Sequence, residues 1–367
     1  MKPLLPALAA LLLPALAIAQ TPSPSAPPAP SASPTATPVP EPTPEPLSTG
    51  EIINALSDSQ LDQAIQSLRT NFLDAGRTTD RELRRATLEG LIDRLSPGLS
   101  ITTETAVKPG AAPAFLAEIL DDRIGYLRLG SLGREALAQM DAALANFKAK
   151  GLDAVVLDLR GAPASSDYEV AADVAKRFCA KGKLLFSIQK PSAKQERILT
   201  SDRDPDFSGI LVVLTDKDNA GAAEALAATL RKNANAMIVG TTTRGEAVEF
   251  SDVSLGEGKI LRVAVAQIVL PDSGPIFPDG VKPDIAAALS PATQGKIFAL
   301  SKEKGVSSFV FEMERPHLNE AALVANTNPE IDPAVVRSNG RDALWDTVLQ
   351  RAVDLVTAIS FYDQRAR

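Results

Sequence analysis

Short aliphatic runs alternate with helical segments through the middle of this chain, and that alternation restricts the fold more than any other feature. The runs at 124–129, 154–159 and 210–215 have the length of β-strands. Apolar residues at helical spacing fill the intervals, as at 134–150 and 222–232. Near-continuous aliphatic strands separated by helices are typical of a parallel sheet that helices cover on both faces. The sequence therefore predicts an α/β fold with a mainly parallel sheet.

Further strands are predicted at 184–188, 236–239 and 260–270, and a further helix at 167–180. Residues 100–118 carry neither periodicity and are expected to be irregular. Because strands and helices keep alternating without an internal repeat, we expect one large core domain.

The whole chain is predicted to divide into consecutive segments of different composition. These are a signal peptide at 1–19, a proline-rich disordered linker at 20–47, a helical N-terminal segment at 48–120, the core at 121–290 and a mixed C-terminal extension at 291–367. The extension is expected to end in a helix at 343–359, where apolar residues again follow helical spacing.

The first residues have the features of an export signal. Lys2 gives a positive start, an apolar run follows, and Ala17 and Ala19 are the small residues that signal peptidase recognises. An uncleaved membrane anchor is the alternative, but prolines interrupt the run and it is shorter than the roughly 20 apolar residues of a membrane span. We expect an exported protein of the periplasm or extracellular cell envelope, with no transmembrane segment after signal removal.

The segment after the signal has an unusual composition. Residues 21–46 contain eleven prolines among serine, threonine, alanine and a few glutamates. Such a segment buries little apolar surface and lacks many backbone donors, so it cannot form a packed core. An extended spacer and a disordered linker are both compatible with it.

Composition also argues against several classes of function. The formal net charge is −7 and no basic cluster is present, so nucleic acid is not expected as a partner. The single cysteine, Cys179, cannot form an internal disulfide and is predicted to be a buried core thiol. With one histidine, His317, and one cysteine, the sequence predicts no Cys–His dyad and no transition-metal site. No cofactor is expected. The sequence does not indicate an oligomeric state.

Six motifs occur in an order that is found in one known family. They lie at 87–97, 124–129, 156–161, 212–225, 238–246 and 278–285. Together they resemble the C-terminal processing (tail-specific) serine peptidases. The resemblance implies a crotonase- and Clp-protease-like core with a helical N-terminal segment and a C-terminal helix. Family members usually carry a PDZ domain before the first core strand, and residues 100–122 are too few for one, since domains have about 50 residues or more.

The resemblance also implies where catalytic groups would stand. The family uses a serine nucleophile with a lysine base, and backbone N–H groups hold the oxyanion. Aligned on Glu224, the serine position is Gly221, and the lysine position 25 residues later is Glu246. The family's oxyanion turn has an asparagine and two glycines. In this chain those positions are Ala162, Ala164 and Ser165.

Several parts of the family's mechanism are therefore replaced together. Gly221 has no side chain to attack a carbonyl, and Glu246 is an anionic acceptor at neutral pH. Loss of the turn glycines makes a positive φ costly there. The family's glutamine after the lysine is also missing, since Glu249 and Phe250 occupy that region. We expect no catalytic residues and predict a non-catalytic relative that binds a peptide or protein tail in the former active-site cleft, or acts as a scaffold.

Two other functions stay open at this stage. An active serine-type endopeptidase is the first, with a displaced dyad of Ser165 or Ser166 and Lys217. The second is a different hydrolase or lyase in which Glu246 activates water or abstracts a proton. The first needs a rebuilt oxyanion hole, and the second needs a raised carboxyl pKa and another acid.

The same residues also have structural interpretations. Gly221 would keep a tight turn between strand and helix, and Glu224 would interact favourably with the helix dipole. Asp158 and Arg160 are expected to pair at a strand end. The polar residues 165–167 precede a predicted helix and are expected to form its N-cap.

Overall fold

The structure, a computed structural model, describes residues 48–103, 112–310 and 344–366. The signal peptide and linker predicted for 1–47 lie outside the described residues, and so does His317. The chain divides into two compact units, Met1–Ala75 and Gly76–Arg367. Among the described residues, no helix has both the length and the apolar character that crossing a membrane requires.

The described part of the first unit is helical, whereas the segment predicted to be helical at 48–120 also contains two strands, at Leu99–Thr103 and Leu116–Leu120. It contains α1 (Thr49–Ala55) and α2 (Asp58–Asn71). Each helix begins with a capping box, in which a serine hydroxyl and the side chain three residues later satisfy each other's backbone donors. Ser48 and Glu51 form the first box. Serine and glutamine form the equivalent box before α2.

The described part of the second unit contains both helices and strands. Its helices are α3 (Asp80–Leu95), α4 (Arg134–Ala149), α5 (Tyr168–Ala175), α6 (Ala222–Ala234), α7 (Pro291–Lys304) and α8 (Thr347–Ala366). Its strands are β1 (Leu99–Thr103), β2 (Leu116–Leu120), β3 (Ile124–Arg128), β4 (Ala154–Asp158), β5 (Leu184–Lys190), β6 (Gln195–Thr200), β7 (Ile210–Thr215), β8 (Met237–Gly240), β9 (Val248–Gly256), β10 (Lys259–Leu270), β11 (Gly274–Pro275) and β12 (Ile285–Ala286).

One sheet carries the core in the order β12-β8-β7-β4-β3-β2. Every pair in it is parallel except that of β2 with β3. Its central strands are buried on both faces: Leu157 and Val213 pack with α4, α5 and α6, whereas Val156 and Val212 pack with α8. Each such side chain contributes about 1.5–3 kcal/mol on burial. The predicted α/β class with a mainly parallel sheet is confirmed for this layer.

The second sheet is antiparallel, and the sequence does not predict it. Strands β1, β10, β5 and β6 form its main path, with β9 and β11 also paired to β10. The predicted runs at 184–188 and 260–270 lie here as β5 and β10, outside the parallel layer. The expectation that 100–118 is irregular is wrong at both ends, because β1 pairs with β10 and β2 pairs with β3.

Candidate functional site

Gly221 lies in the tight connection from β7 to α6, as the sequence predicts. Its backbone has φ +63° and ψ −119°, and only residues without a Cβ adopt a positive φ at little cost. The residue forms a parallel bridge with Ser165. A Cβ at this position would lie 2.3 Å from the carbonyl oxygen of Ser165. The surrounding backbone therefore leaves no room for a side chain.

The amide next to Gly221 already has an acceptor. Ala222 donates its N–H to the carbonyl oxygen of Ser165 at 2.7 Å. The family resemblance places an oxyanion-binding amide beside the nucleophile position. In this chain the carbonyl of the turn residue Ser165 fills that place, so a carbonyl oxygen rather than an N–H group of the turn is directed towards the start of α6.

Hydrogen bonds hold the turn before Ser165 in this conformation. Gly161 donates its N–H to Oδ2 of Asp216 at 2.8 Å. The carbonyl oxygen of Leu159 accepts from the N–H of Ala162 at 3.1 Å and from Nδ2 of Asn219 at 2.7 Å. Of the predicted oxyanion positions, Ala162 is therefore buried and bonded into the turn. Ala164 is exposed and Ser165 is half-buried.

A buried carboxylate joins the two catalytic positions of the resemblance. Glu224 is 0% exposed, and its Oε1 accepts from Oγ1 of Thr243 at 2.6 Å and the N–H of Gly245 at 2.5 Å. Its Oε2 accepts from the N–H of Gly221 at 3.0 Å and the N–H of Glu246 at 2.7 Å. Four donors thus compensate the desolvation of this charge. The sequence indicates only a helix-dipole role for Glu224 and misses this network.

Glu246 is half-buried beside this network. Burial raises the pKa of its carboxyl group, and the charge of Glu224 raises it further, while Arg244 and Arg262 partly oppose the shift. The nearest ion pair is loose, with 3.8 Å between Nη1 of Arg244 and Oε2 of Glu246. The side chain is therefore a carboxyl group in a less polar environment than water, with partial charge compensation.

Tyr168 lies among the same acidic groups. Burial raises the pKa of its hydroxyl, and the carboxylates of Glu224, Glu249 and Glu246 raise it further. The hydroxyl donates to the carbonyl oxygen of Val248 at 2.8 Å. Its proton is thus engaged in a structural hydrogen bond. No sequence motif marks this residue, because its neighbours come from distant parts of the chain.

The polar residues before α5 form an N-cap, as predicted. Oδ1 of Asp167 accepts from the N–H of Val170 at 3.1 Å, and Oγ of Ser165 accepts from the N–H of Asp167 at 3.1 Å. Ser166 and Lys217 are exposed. Within the described ranges, no lysine forms a hydrogen bond with Ser165 or Ser166. The displaced serine–lysine dyad is not assembled in this geometry.

Asp158 and Arg160 pair at the end of β4, as predicted, and a third residue completes the group. Nη2 of Arg160 lies 2.7 Å from Oδ2 of Asp158 and 2.8 Å from Oδ2 of Asp346. All three are buried. Burial opposes ionisation of Asp346, but the charge and hydrogen bonds of Arg160 and the amides at the start of α8 outweigh it, so its pKa is lowered. This group attaches α8 to the sheet.

Cys179 is buried, as predicted, and burial raises the pKa of its thiol to about 12. It is therefore a poor nucleophile. Over the parts of the chain that the structure describes, no three His, Cys, Asp or Glu side chains are grouped so that they could hold a metal ion.

Comparison with known proteins identifies relatives of the core. The model of peptidase family S41 matches residues 123–287. The carboxy-terminal processing protease CtpA of Bacillus subtilis is 27% identical over 173 residues, which are 47% of this chain and 37% of that protein. The carboxyl-terminal-processing protease of Synechocystis is 27% identical over 199 residues, or 53% of this chain and 46% of that protein.

Among solved structures, the photosystem II D1 C-terminal processing protease is similar with 24% identity and a TM-score of 0.41. The match covers 57% of this chain and 53% of that one. The present chain spans less than half the length of the two curated relatives. The matched segment contains the Gly221 turn, the Glu224 network and Glu246. Residues 123–287 thus match the model of peptidase family S41, and the curated relatives over this part of the chain are C-terminal processing proteases.

Proposed function

We propose that this protein is a non-catalytic member of its family, exported to the cell envelope, where it acts as a protein-binding scaffold. One observation carries the proposal: Ala222 donates its N–H to the carbonyl oxygen of Ser165 at 2.7 Å. The amide that would stabilise an oxyanion is thereby occupied by the chain's own backbone. A substrate carbonyl would have to displace Ser165 before it could be polarised there.

The side chains at the catalytic positions support the same proposal. Gly221 provides no attacking atom, and the ionised carboxylate of Glu246 cannot donate a proton to a leaving group. The buried carboxylate of Glu224 accepts from the backbone at both positions. Because this network is fully hydrogen-bonded, it favours a structural role for the former catalytic centre over a reactive one.

The closed position beside Gly221 favours a scaffold over a binder that holds peptides in the former cleft. The Ser165 carbonyl occupies the place where an extended peptide would approach the start of α6. Export is supported by the signal-like residues 1–19, with cleavage after Ala19. Amino-terminal sequencing of the mature protein from an envelope fraction tests the export: a chain that keeps Met1 in the cytoplasm would contradict it.

Activity-based labelling tests the absence of catalysis. The wild-type chain and CtpA of Bacillus subtilis would be treated with a fluorophosphonate probe and, separately, with casein. We expect CtpA to label and to cleave, and this chain to do neither. Labelling or cleavage by the wild-type chain, lost on Ser165→Ala or Ser166→Ala substitution, would overturn the proposal in favour of the displaced dyad.

A series of variants tests which structural feature prevents peptide cleavage. Gly221→Ser with Glu246→Lys restores the two side chains but leaves the Ser165 carbonyl in place. We expect no cleavage from this double variant. Adding Ala162→Asn, Ala164→Gly and Ser165→Gly restores the family's turn as well. Cleavage by the double variant alone would show that the closed turn is not an obstacle to catalysis.

One observation favours a second candidate, acid–base chemistry at Glu246. Burial raises the pKa of its carboxyl group, which is the direction that such chemistry requires. However, the neighbouring groups that could assist Glu246 in proton transfer already form structural hydrogen bonds. Glu224 accepts four of them, and Tyr168 donates one to the carbonyl oxygen of Val248. A hydrolytic or lyase activity that disappears in Glu246→Gln would establish this candidate.

A further inference from the structure

A cavity of about 520 Å³ lies beside the C-terminal half of α6. Its lining includes Ala228 and Lys232 of this helix, whereas Gly221 is at the opposite end. Ten residues of helix separate Gly221 from Arg231, which corresponds to about 15 Å along the axis. None of Gly221, Glu224 or Glu246 lines the cavity. It is therefore distinct from the former catalytic centre.

The inner wall of the cavity is apolar. Ala228, Ile276 and Val281 line it and are buried, and Leu270 and Pro275 extend the same surface. Its volume lies in the range of roughly 300–1,000 Å³ that ligand sites in proteins have. The wall and the volume together suit a compact apolar group rather than a fully hydrated ion.

The rim of the cavity is positively charged, in contrast to the acidic chain. Arg231, Lys232 and Lys282 line it, with Asp279 as the acidic residue. Arg231 is already neutralised, since its Nη2 lies 2.7 Å from Oδ1 of Asp284. Within the described residues, Lys232 and Lys282 have no ion pair. Two lysines and one aspartate leave a net charge of +1 at the opening.

We propose that this cavity binds a carboxylate attached to an apolar group. The apolar body would lie against Ile276 and Val281, and the carboxylate would accept hydrogen bonds from the ammonium groups of Lys232 and Lys282. A net charge of +1 matches a monoanion better than a phosphate dianion. A free small acid and the C-terminal residue of a peptide share this chemistry. The inference does not depend on the proposed absence of catalysis.

The two lysines also have simpler explanations. Lys232 lies in the last turn of α6, where a cation interacts favourably with the helix dipole. That explanation does not apply to Lys282, which lies in the segment between β11 and β12. Arg231 fixes this segment, because its Nη2 donates to the carbonyl oxygen of Lys282 at 2.6 Å. The fold thus fixes the backbone of a second lysine that lines the cavity.

Calorimetric titration tests the site. N-acetyl-leucine and its neutral amide would be titrated into the protein, followed by a hexapeptide that ends in leucine with a free or an amidated C-terminus. We expect saturable 1:1 binding of at least one carboxylate, and at least about tenfold weaker binding of its amide, because a hydrogen bond to a charged group is lost. The tighter of the two acids identifies the source of the carboxylate.

Variants distinguish the site from unspecific attraction. Lys232→Gln with Lys282→Gln is expected to weaken carboxylate binding at least about tenfold. Lys148→Gln with Lys150→Gln, two exposed lysines at the end of α4, is the matched control and should leave binding unchanged. Absence of saturable binding up to roughly 10 mM, far above a weak-ligand Kd of about 1 mM, would overturn the proposal. Equal effects of the two double variants, or equal binding of acid and amide, would overturn it too.

Discussion

Gly221 and Glu246 donate their backbone N–H groups to the same atom, Oε2 of Glu224, at 3.0 and 2.7 Å. The two positions that the family resemblance assigns to the nucleophile and the base are thus joined through one buried carboxylate. A shared buried acceptor holds the backbone at both positions, and its contribution to folding stability can be measured.

Removing the carboxylate should therefore destabilise the fold strongly. Glu224→Gln keeps the size but replaces one acceptor oxygen by an NH₂ donor that faces N–H groups. We expect the free energy of unfolding to fall by about 3 kcal/mol, because buried donors lose their acceptor. Urea denaturation measures the change. Glu303→Gln, at an exposed position in α7, is the control and should change stability by less than about 0.5 kcal/mol. Similar values for the two variants would refute the proposed role of Glu224.

Substitution of Gly221 separates backbone strain from steric overlap. Gly221→Ala introduces both a Cβ at φ +63° and a contact of 2.3 Å with the Ser165 carbonyl. Gly151→Ala introduces a Cβ at φ +69° with no atom within 4 Å, so it measures strain alone. We expect a loss of about 1 kcal/mol for Gly151→Ala and at least about 2 kcal/mol more for Gly221→Ala. Equal losses of stability in the two variants would show that the turn at Ser165 moves to accommodate the added Cβ.

The parallel core could be predicted because its signals are local. Strands β4 and β7 are aliphatic apart from one polar residue at the end of each, and β3 contains Ile124 and Leu127. Helix starts are marked by particular residue types, such as Gly221 before α6. Strand β9 could not be predicted in this way, since residues 251–256 are exposed and mostly polar or small. Its pairing depends on β10, and β1 depends on the same partner. Such strands can be assigned only when the strand with which they pair is known.

The candidate site likewise combines features that the sequence predicts with features that only the folded structure shows. Gly221, Glu246 and the turn at 162–165 could be located because a family pattern fixes their spacing. The partners that determine what they do are distant in sequence: Thr243 lies 19 residues from Glu224, and Asp346 lies 186 residues from Arg160. Nor does any sequence signal show that the Ser165 carbonyl accepts from Ala222. That contact is a property of the folded turn.

The buried group formed by Arg160 and Asp346 should make stability depend on acid pH. In the folded state the pKa of Asp346 is lowered below the ordinary aspartate value of 3.8, because Arg160 and the first amides of α8 stabilise its charge. Its contribution to stability is therefore fully present above that unfolded value and is lost as the pH falls through the lower folded value. Asp346→Asn removes this dependence and, by leaving Arg160 with one carboxylate, should cost about 3 kcal/mol at neutral pH.

Denaturation curves between pH 7 and about pH 2 measure both effects. The matched control is Asp354→Asn, also on α8, where Asp354 is exposed and accepts from Gln350. This control should lower stability by less than about 0.5 kcal/mol. If Asp346→Asn and the control gave the same pH profile as the wild type, the group would not hold α8 to the sheet.

Glu246 should show the opposite sign. Its folded pKa is raised by burial and by the charge of Glu224, so the folded state favours the protonated form. The ionised carboxylate therefore lowers stability in full above the folded pKa, and this penalty is lost as the pH falls from the folded pKa to the lower pKa of the unfolded chain. Glu246→Gln should accordingly stabilise the protein at pH 7, and its advantage over the wild type should vanish in acid. Thermal unfolding of the wild type and of Glu246→Gln, compared at pH 7 and at acid pH, measures this difference in stability.

Glu249→Gln provides the comparison for Glu246→Gln on the neighbouring strand. Glu249 lies 3.4 Å from Arg197 in an exposed ion pair, so its neutralisation removes a weak attraction worth about 0–1 kcal/mol and should not stabilise the protein. A gain specific to Glu246 would show that this position carries an energetic cost instead of a stabilising contact. A loss of stability in Glu246→Gln at pH 7 would mean that the ion pair with Arg244 outweighs burial. Glu246 would then act as a structural anion that is stabilised by Arg244.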